Sequence, residues 1–177
     1  MPVKNSKEMF LVMLSDVRQG AERTGHFFQE ISEIAEDLDI KEASEARVFV
    51  NDKVLDTIDQ CFKLIGEKPV KMSGHLYEAF AAEFRKELAE IQNPTVRHWF
   101  ILAKASQLMH LRIAEYKTLI AVADLSGHYG VGVLLESCLA DKLALAERTT
   151  RLIRNITEVK LAEKLAVKSA AFRSQKS

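Results

Sequence analysis

Residues 93–127, "NPTVRHWFILAKASQLMHLRIAEYKTLIAVADLSG", decide how this chain folds. Asn93 followed by Pro94 is a helix start, because proline suits a first turn where no amide donor is needed. Ser126-Gly127 is the matching stop. Nothing between them breaks a helix, so the stretch predicts one rod over residues 94–125, about 40 to 50 Å long at ~1.5 Å per residue. Such a rod is held in place by packing its apolar side against others of similar length.

The rest of the chain supplies them. In residues 6–38, Phe10, Leu14, Val17, Ala21, Thr24, Phe28, Ile31, Ala35 and Leu38 recur at alternating spacings of three and four, the signature of one buried helical face. Gly20 and Gly25 interrupt it, at a cost in helix propensity or in exchange for close packing. Asp39 with Glu42 has capping-box spacing and is expected to open a second helix, which stops at Gly66. Its stripe is Ala43, Arg47, Val50, Val54, Ile58, Cys61 and Ile65. Ser73 is expected to cap a shorter helix through "GHLYEAFAAEFRKELAEI". A last long helix begins near His128 with Leu135, Cys138, Lys142, Leu145, Thr149, Leu152 and Ile156 on one face. An arginine and a lysine standing in otherwise apolar rows are the anomalies of the sequence.

The order of these segments predicts an all-α four-helix bundle. Two helix pairs flank the segment around 73–91, and a connection of that length returns the chain along the bundle, as in ferritin-like folds with one long crossover. The expected topology is up-down-down-up with a short fifth helix in the crossover. Residues 1–165 form this single domain, and 166–177, where amphipathicity fades, are expected to fray.

Composition narrows the function. Lysine plus arginine equals aspartate plus glutamate at 25 each, which removes the general attraction that nucleic-acid and anionic-membrane binders show. The N-terminal apolar run, Met9 to Leu14, is too short for a secretory core, and no run approaches the ~18 apolar residues of a membrane span. Cys61 and Cys138 are far apart and sit in apolar helical settings, which reads as buried thiols of a reducing cytoplasm. No phosphate loop, nucleophile elbow or triad spacing is present.

"LSD" at 14–16, "IDQCFKLIGEKP" at 58–69, "NPTVRHWFILAKASQLMHLRIAEYKTL" at 93–119 and "LLESCL" at 134–139 stand in the order of corresponding segments in the YciE/YciF family. Over roughly residues 14–152 the chain resembles these bacterial ferritin-like, stress-associated proteins. The resemblance implies a paired iron or manganese centre in the bundle, built from inward glutamates and Glu-x-x-His pairs. It also implies a homodimer. Laid on the family pattern, the ligand positions fall on Ala21, Arg47, Val50, Met109, His110, Arg112 and Lys142. Only the histidine survives, although Glu22 and Asp141 lie one residue from their slots. A fixed positive charge near a metal dication is repulsive by several kcal/mol at ~4 Å, even at an effective dielectric of about 20.

His110 falls on a stripe with Ala103, Ser106, Gln107 and Ala114, which reads as facing inward, and is expected to be a core histidine left from a ligand set. Glu22, His26 and Glu30 share one line of the first helix, but that line points away from the core stripe. His75, His98 and His128 stand near helix starts, where exposure is expected. Arg47 and Lys142 should pair with Asp141, Glu136 or Glu115, or extend their heads past apolar stems to water. In a competing reading Arg47, His110 and Lys142 form a cationic pocket for a small anion. Trp99, Phe100 and Tyr116 read as packing rather than a base-stacking platform. The expectation is therefore a non-enzymatic cytoplasmic protein without a cofactor. It would act through self-association or an unknown protein partner, with no nucleic acid or membrane involved. The alternative is an oxygen- or peroxide-handling metal pair with an atypical ligand set.

Overall fold

A computed structural model describes residues 3–174, and among them the only regular elements are α-helices. α1 spans Ser6–Ile34, α2 Leu38–Ile65, α3 His75–Glu90, α4 Pro94–Leu125 and α5 Tyr129–Ser174. α1 packs on α2 and α4, α5 packs on the same two helices, and α3 lies across α1 and α4. Contacts between the long helices run in opposite chain directions, whereas α3 runs the same way as α1, with Arg23 on Glu78 and Arg85 on Glu30. Arg18 meets Asp59 and Asn51 meets Ala21 between α1 and α2, while Ser126 meets Ser6 and Arg112 meets Val17 between α4 and α1. Lys53 meets Asp141 and Arg47 meets Thr149 between α2 and α5.

The rows of α1, α2 and α5 behave as their periodicity demands. Phe10, Leu14, Val17, Ala21, Thr24, Phe28 and Ile31 are all buried, as are Ala43, Val54, Ile58 and Cys61, and Leu135, Cys138, Leu145 and Leu152. The apolar side chains form two clusters rather than one. One holds Phe27, Phe28, Ile31, Phe84, Leu102 and Leu145. The other holds Phe10, Leu14, Val54, Ile58, Leu119 and Leu135. A belt of polar side chains, including Arg47, Arg112 and Lys142, lies buried along the same helices.

α4 departs from its expected phase. Its buried residues are Ile101, Leu102, Ala105, Leu108, Met109, Arg112, Ile113, Tyr116, Leu119 and Ala123, while Ala103, Gln107, His110 and Ala114 face solvent. Apolar residues occur all round this helix, so its sequence carries a weak directional signal. Packing against three neighbours selects the row with the larger side chains.

Three helix ends also differ from expectation. α1 closes at Ile34 rather than near residue 38, and α2 is capped by Asp37, whose carboxylate accepts from the Ile40 amide at 3.1 Å, not by Asp39. Starting two residues earlier puts Ile40 into the core. Ser73 does not cap α3. Gly74 holds that position at φ 66° without a side-chain bond, and a Cβ there would lie 2.6 Å from the Arg23 guanidinium. The Asn93-Pro94 start, the αL Gly66 stop and the Ser126-Gly127 stop all occur as read. The expected fraying over 166–177 meets a helix that continues to Ser174, through a stretch rich in alanine and lysine, good helix formers; 175–177 lie outside the described residues.

The cap assignment is testable. Asp37→Ala is expected to cost about 1 kcal/mol of unfolding free energy, and Asp39→Ala only a few tenths, read from urea midpoints at constant slope.

Candidate functional site

The phase of α4 that buries Leu108, Tyr116 and Leu119 also carries Arg112 to the inside, where its side chain has 0% exposure. A guanidinium there must be met by acceptors. Nη1 donates to the Tyr77 hydroxyl at 2.5 Å and to the Glu115 carboxylate, and Nη2 donates to the Val17 carbonyl at 2.6 Å. The Tyr77 hydroxyl in turn donates to Glu115 Oε1 at 2.7 Å, closing a triangle. The rings of Tyr77 and Tyr116 each lie 5.5 Å from the guanidinium carbon. Burial pushes the Glu115 carboxyl up, against the pull of Arg112 and Tyr77. It also holds the phenols of Tyr77 and Tyr116 well above their usual range, so both stay neutral.

Gly20 makes room for this triangle. A Cβ on it would collide with Arg112 Nη1 and sit 2.5 Å from the Tyr77 oxygen. α1, α3 and α4 therefore meet at one charged group.

Lys142 lies across from this triangle on α5. Its ammonium is 5.2 Å from the Tyr116 ring and makes no hydrogen bond or ion pair among the described residues. Burial, followed by the Arg112 charge, pushes its pKa down to about 7. Arg47 sits further along the bundle. It donates to the Ala43 carbonyl at 2.6 Å and to the Thr149 hydroxyl, with its guanidinium carbon 5.2 Å from the Phe28 ring. Burial lowers its pKa to about 10. The expected carboxylate partners do not serve either cation. Asp141 turns outward to Lys53 at 3.1 Å, Glu136 is exposed, and Glu115 is taken by Arg112. Nor do the heads extend out into water, since each residue as a whole is only 3% exposed. Hydroxyl, carbonyl and aromatic faces take the carboxylates' place.

Of the positions taken from the family pattern, Ala21, Arg47, Met109, Arg112 and Lys142 are buried and Val50 is half-buried. His110 is not with them. It is exposed on the outer face of α4, its Nδ1 2.9 Å from the Ser106 carbonyl, so the reading of a core histidine fails, and with it any pocket that joins His110 to Arg47 and Lys142. Glu22 is exposed beside Arg18, so a one-residue shift does not return it or Asp141 to the interior. His26 and His75 are exposed, as read; Phe100 stacks on Phe84 at 5.7 Å, Tyr116 is buried and Trp99 is partly exposed.

A pair of hard cations needs several convergent carboxylates. Glu115 is the one carboxylate in the triangle, and it is already committed to Arg112. Among the described residues no three histidine, cysteine, aspartate or glutamate side chains converge as a metal would require. The residues at this place do not fit a dinuclear centre.

Two members of the belt escaped the sequence. Asn51 donates to the Ala21 carbonyl at 2.8 Å from α2, and Tyr77 reaches in from the crossover. Asn51 lies one residue from the expected stripe position Val50, so the slot was legible but its occupant was not. Tyr77 had no signal, because a crossover helix carries no register with the bundle. The two cysteines are buried and free, with burial pushing the Cys61 thiol up to about 12 and raising Cys138 as well.

A family profile described as a domain of unknown function, DUF892, matches residues 5–162. No curated protein matches. Among solved structures, the E. coli stress protein YciF superposes with a TM-score of 0.83 at 22% identity, covering 88% of this chain and 99% of that one. YcfI from Rhodopseudomonas palustris gives 0.80 at 24%, covering 84% and 94%. A protein from Xanthomonas campestris pv. campestris gives 0.71 at 18%, covering 91% and 99%. These likenesses establish the fold, and with the profile they bear out the resemblance read from the sequence.

Two substitutions test the site. Gly20→Ala would gain about 1 kcal/mol of helix propensity elsewhere, but here it should destabilise by ~1–3 kcal/mol, because a bonded guanidinium and a phenol ring fill the space. Gly130→Ala, in the first turn of α5 with nothing within 4 Å, is the control and should be neutral to stabilising. Lys142→Met should stabilise by ~1–4 kcal/mol near neutral pH. The sign follows from the lowered pKa: between about 7 and the free lysine value of about 10.4 the unfolded chain binds more protons, so the native protein gains stability as pH rises. The advantage of the variant should therefore be largest at and below pH 7 and shrink toward pH 10, read as the difference in thermal midpoint between the two proteins.

Proposed function

We propose, from the premise that this chain belongs to the DUF892 family, that it is a ferritin-like protein in which a hydrogen-bonded cation has replaced the metal pair. The four long helices take the up-down-down-up arrangement, with α3 in the crossover. The antiparallel contacts of α1 with α2 and α4, and of α5 with the same two helices, support this reading. The observation that carries the functional part is the Arg112 triangle. It commits the single interior carboxylate of the site to a guanidinium and leaves Lys142 beside it. Oxygen or peroxide chemistry on a metal pair would need ligands that are here Ala21, Arg47, Val50, Met109, Arg112 and Lys142.

The protein is accordingly non-enzymatic and cytoplasmic, and it works in a stress response by association, as a homodimer or with a protein partner. YciF is called a stress protein, and its structure is one of those this chain resembles. No helix of the described residues is long and apolar enough to cross a membrane, which agrees with that setting.

Protein purified from cells grown with added iron and manganese should contain neither in stoichiometric amount, and should sediment as a dimer. Two metal atoms per chain that resist chelation would sink the reading, and a monomer at all concentrations would remove self-association from it.

A further inference from the structure

A cavity of about 330 Å³ opens between α1 and α3, on the side of the bundle away from Lys142 and α5. Its floor is apolar and largely aromatic. Phe27 contacts the rings of Phe80 and Phe84 edge-on, with centroids 5.5 and 4.9 Å apart, and Leu108 of α4 closes the bottom. Its rim carries Arg23, His26, Glu78 and Arg85. The volume is at the lower end of the range for small-ligand sites, and an apolar body with a few placed polar groups is their usual composition.

The rim holds more donors than its own acceptors use. Arg85 gives Nε and Nη2 to the two oxygens of Glu30, each at 2.7 Å, and Arg23 gives Nη1 to Glu78 at 2.5 Å. A guanidinium has five N–H groups. Arg85 Nη1 and the Nε and Nη2 of Arg23 are therefore left over, on cations whose position is fixed by their carboxylates. Gly74 adds to this, since the Arg23 guanidinium lies where a Cβ would be and so against the start of α3. That helix has no side-chain cap, and Glu78 in its first turn offsets the positive end beside Arg23. Two ion pairs cancel in charge, and the surplus guanidinium donors leave a rim suited to one negative charge rather than two.

We propose that this cavity binds a small aromatic monocarboxylate. The ring would lie on Phe27, Phe80 and Leu108, with the carboxylate turned to Arg23 and Arg85. The inference does not depend on the absence of a metal pair: Tyr77 is the one belt residue that also lines the cavity, and the residues assigned to the ring and the carboxylate lie outside the belt.

The probes are 2-naphthoate and its neutral isostere 2-naphthamide, titrated into the full chain and followed by backbone amide shifts in NMR and by thermal midpoint. Naphthoate should shift amides of α1 and α3 around residues 23–27 and 77–85, and should bind about tenfold more tightly than the amide. Arg23→Met with Arg85→Met should erase that preference while leaving the weak binding of the amide. Ala81→Phe, which fills the cavity without touching a charge, should abolish binding of both. No shift with either probe, equal affinity for acid and amide, shifts on another face, or unchanged binding in Ala81→Phe would each overturn the proposal. The folded state of each variant is read from its own amide spectrum, so a loss of structure is not mistaken for a loss of affinity.

Discussion

A guanidinium with no access to water dictates the arrangement of this bundle. Removing a cation from solvent costs several kcal/mol after relaxation, and the position is tolerable only where a counter-charge and hydrogen-bond acceptors meet it. Arg112 places three of its five N–H groups, on the Val17 carbonyl of α1, the Tyr77 hydroxyl of α3, and Glu115 one turn along its own helix, while its Nε has no hydrogen-bond partner and the Tyr77 and Tyr116 rings flank the guanidinium. The crossover helix is consequently more than a connector. It supplies an acceptor that the four long helices do not have, and Gly20 keeps the opening through which it does so.

The same charge explains why the apolar interior is split. A continuous greasy core would run through the middle of four helices of this length. Here Phe27, Phe28 and Ile31 fill one part and Phe10, Leu14 and Ile58 another. Arg47 and Lys142 keep their charge or lose it according to what surrounds them: Arg47 has a carbonyl and a hydroxyl and remains a cation, whereas Lys142 has a ring face and a neighbouring arginine and sits near its midpoint at neutral pH. A lysine in that state is a reservoir of strain that the folded protein tolerates.

Most of the fold was legible because three of the long helices carry unambiguous rows. Phe10 to Ile31, Ala43 to Cys61 and Leu135 to Leu152 each mark one face, and their strong punctuation at Asn93-Pro94 and Gly66 sets the limits. α4 was legible as a helix and not as an orientation, since apolar residues surround it and the small-residue row through His110 competes with the row through Arg112. Helix caps failed where two acidic residues lay two positions apart, at Asp37 and Asp39, because local spacing does not say which register buries Ile40. The site was half legible. Arg47 and Lys142 stood out as charges in apolar rows, but their real partners, Thr149 and the Tyr116 ring, do not announce themselves as acceptors.

The two thiols carry a different consequence. Thiolate is the species that reacts with peroxides and disulfides, and a thiol held near 12 is ionised at neutral pH in only about one molecule in 10⁵. Both sulfurs are buried in the apolar cluster shared by α1, α2, α4 and α5, so an oxidant in solution has no direct path to them. The rate at which an alkylating reagent modifies Cys61 or Cys138 therefore reports how often the helices part.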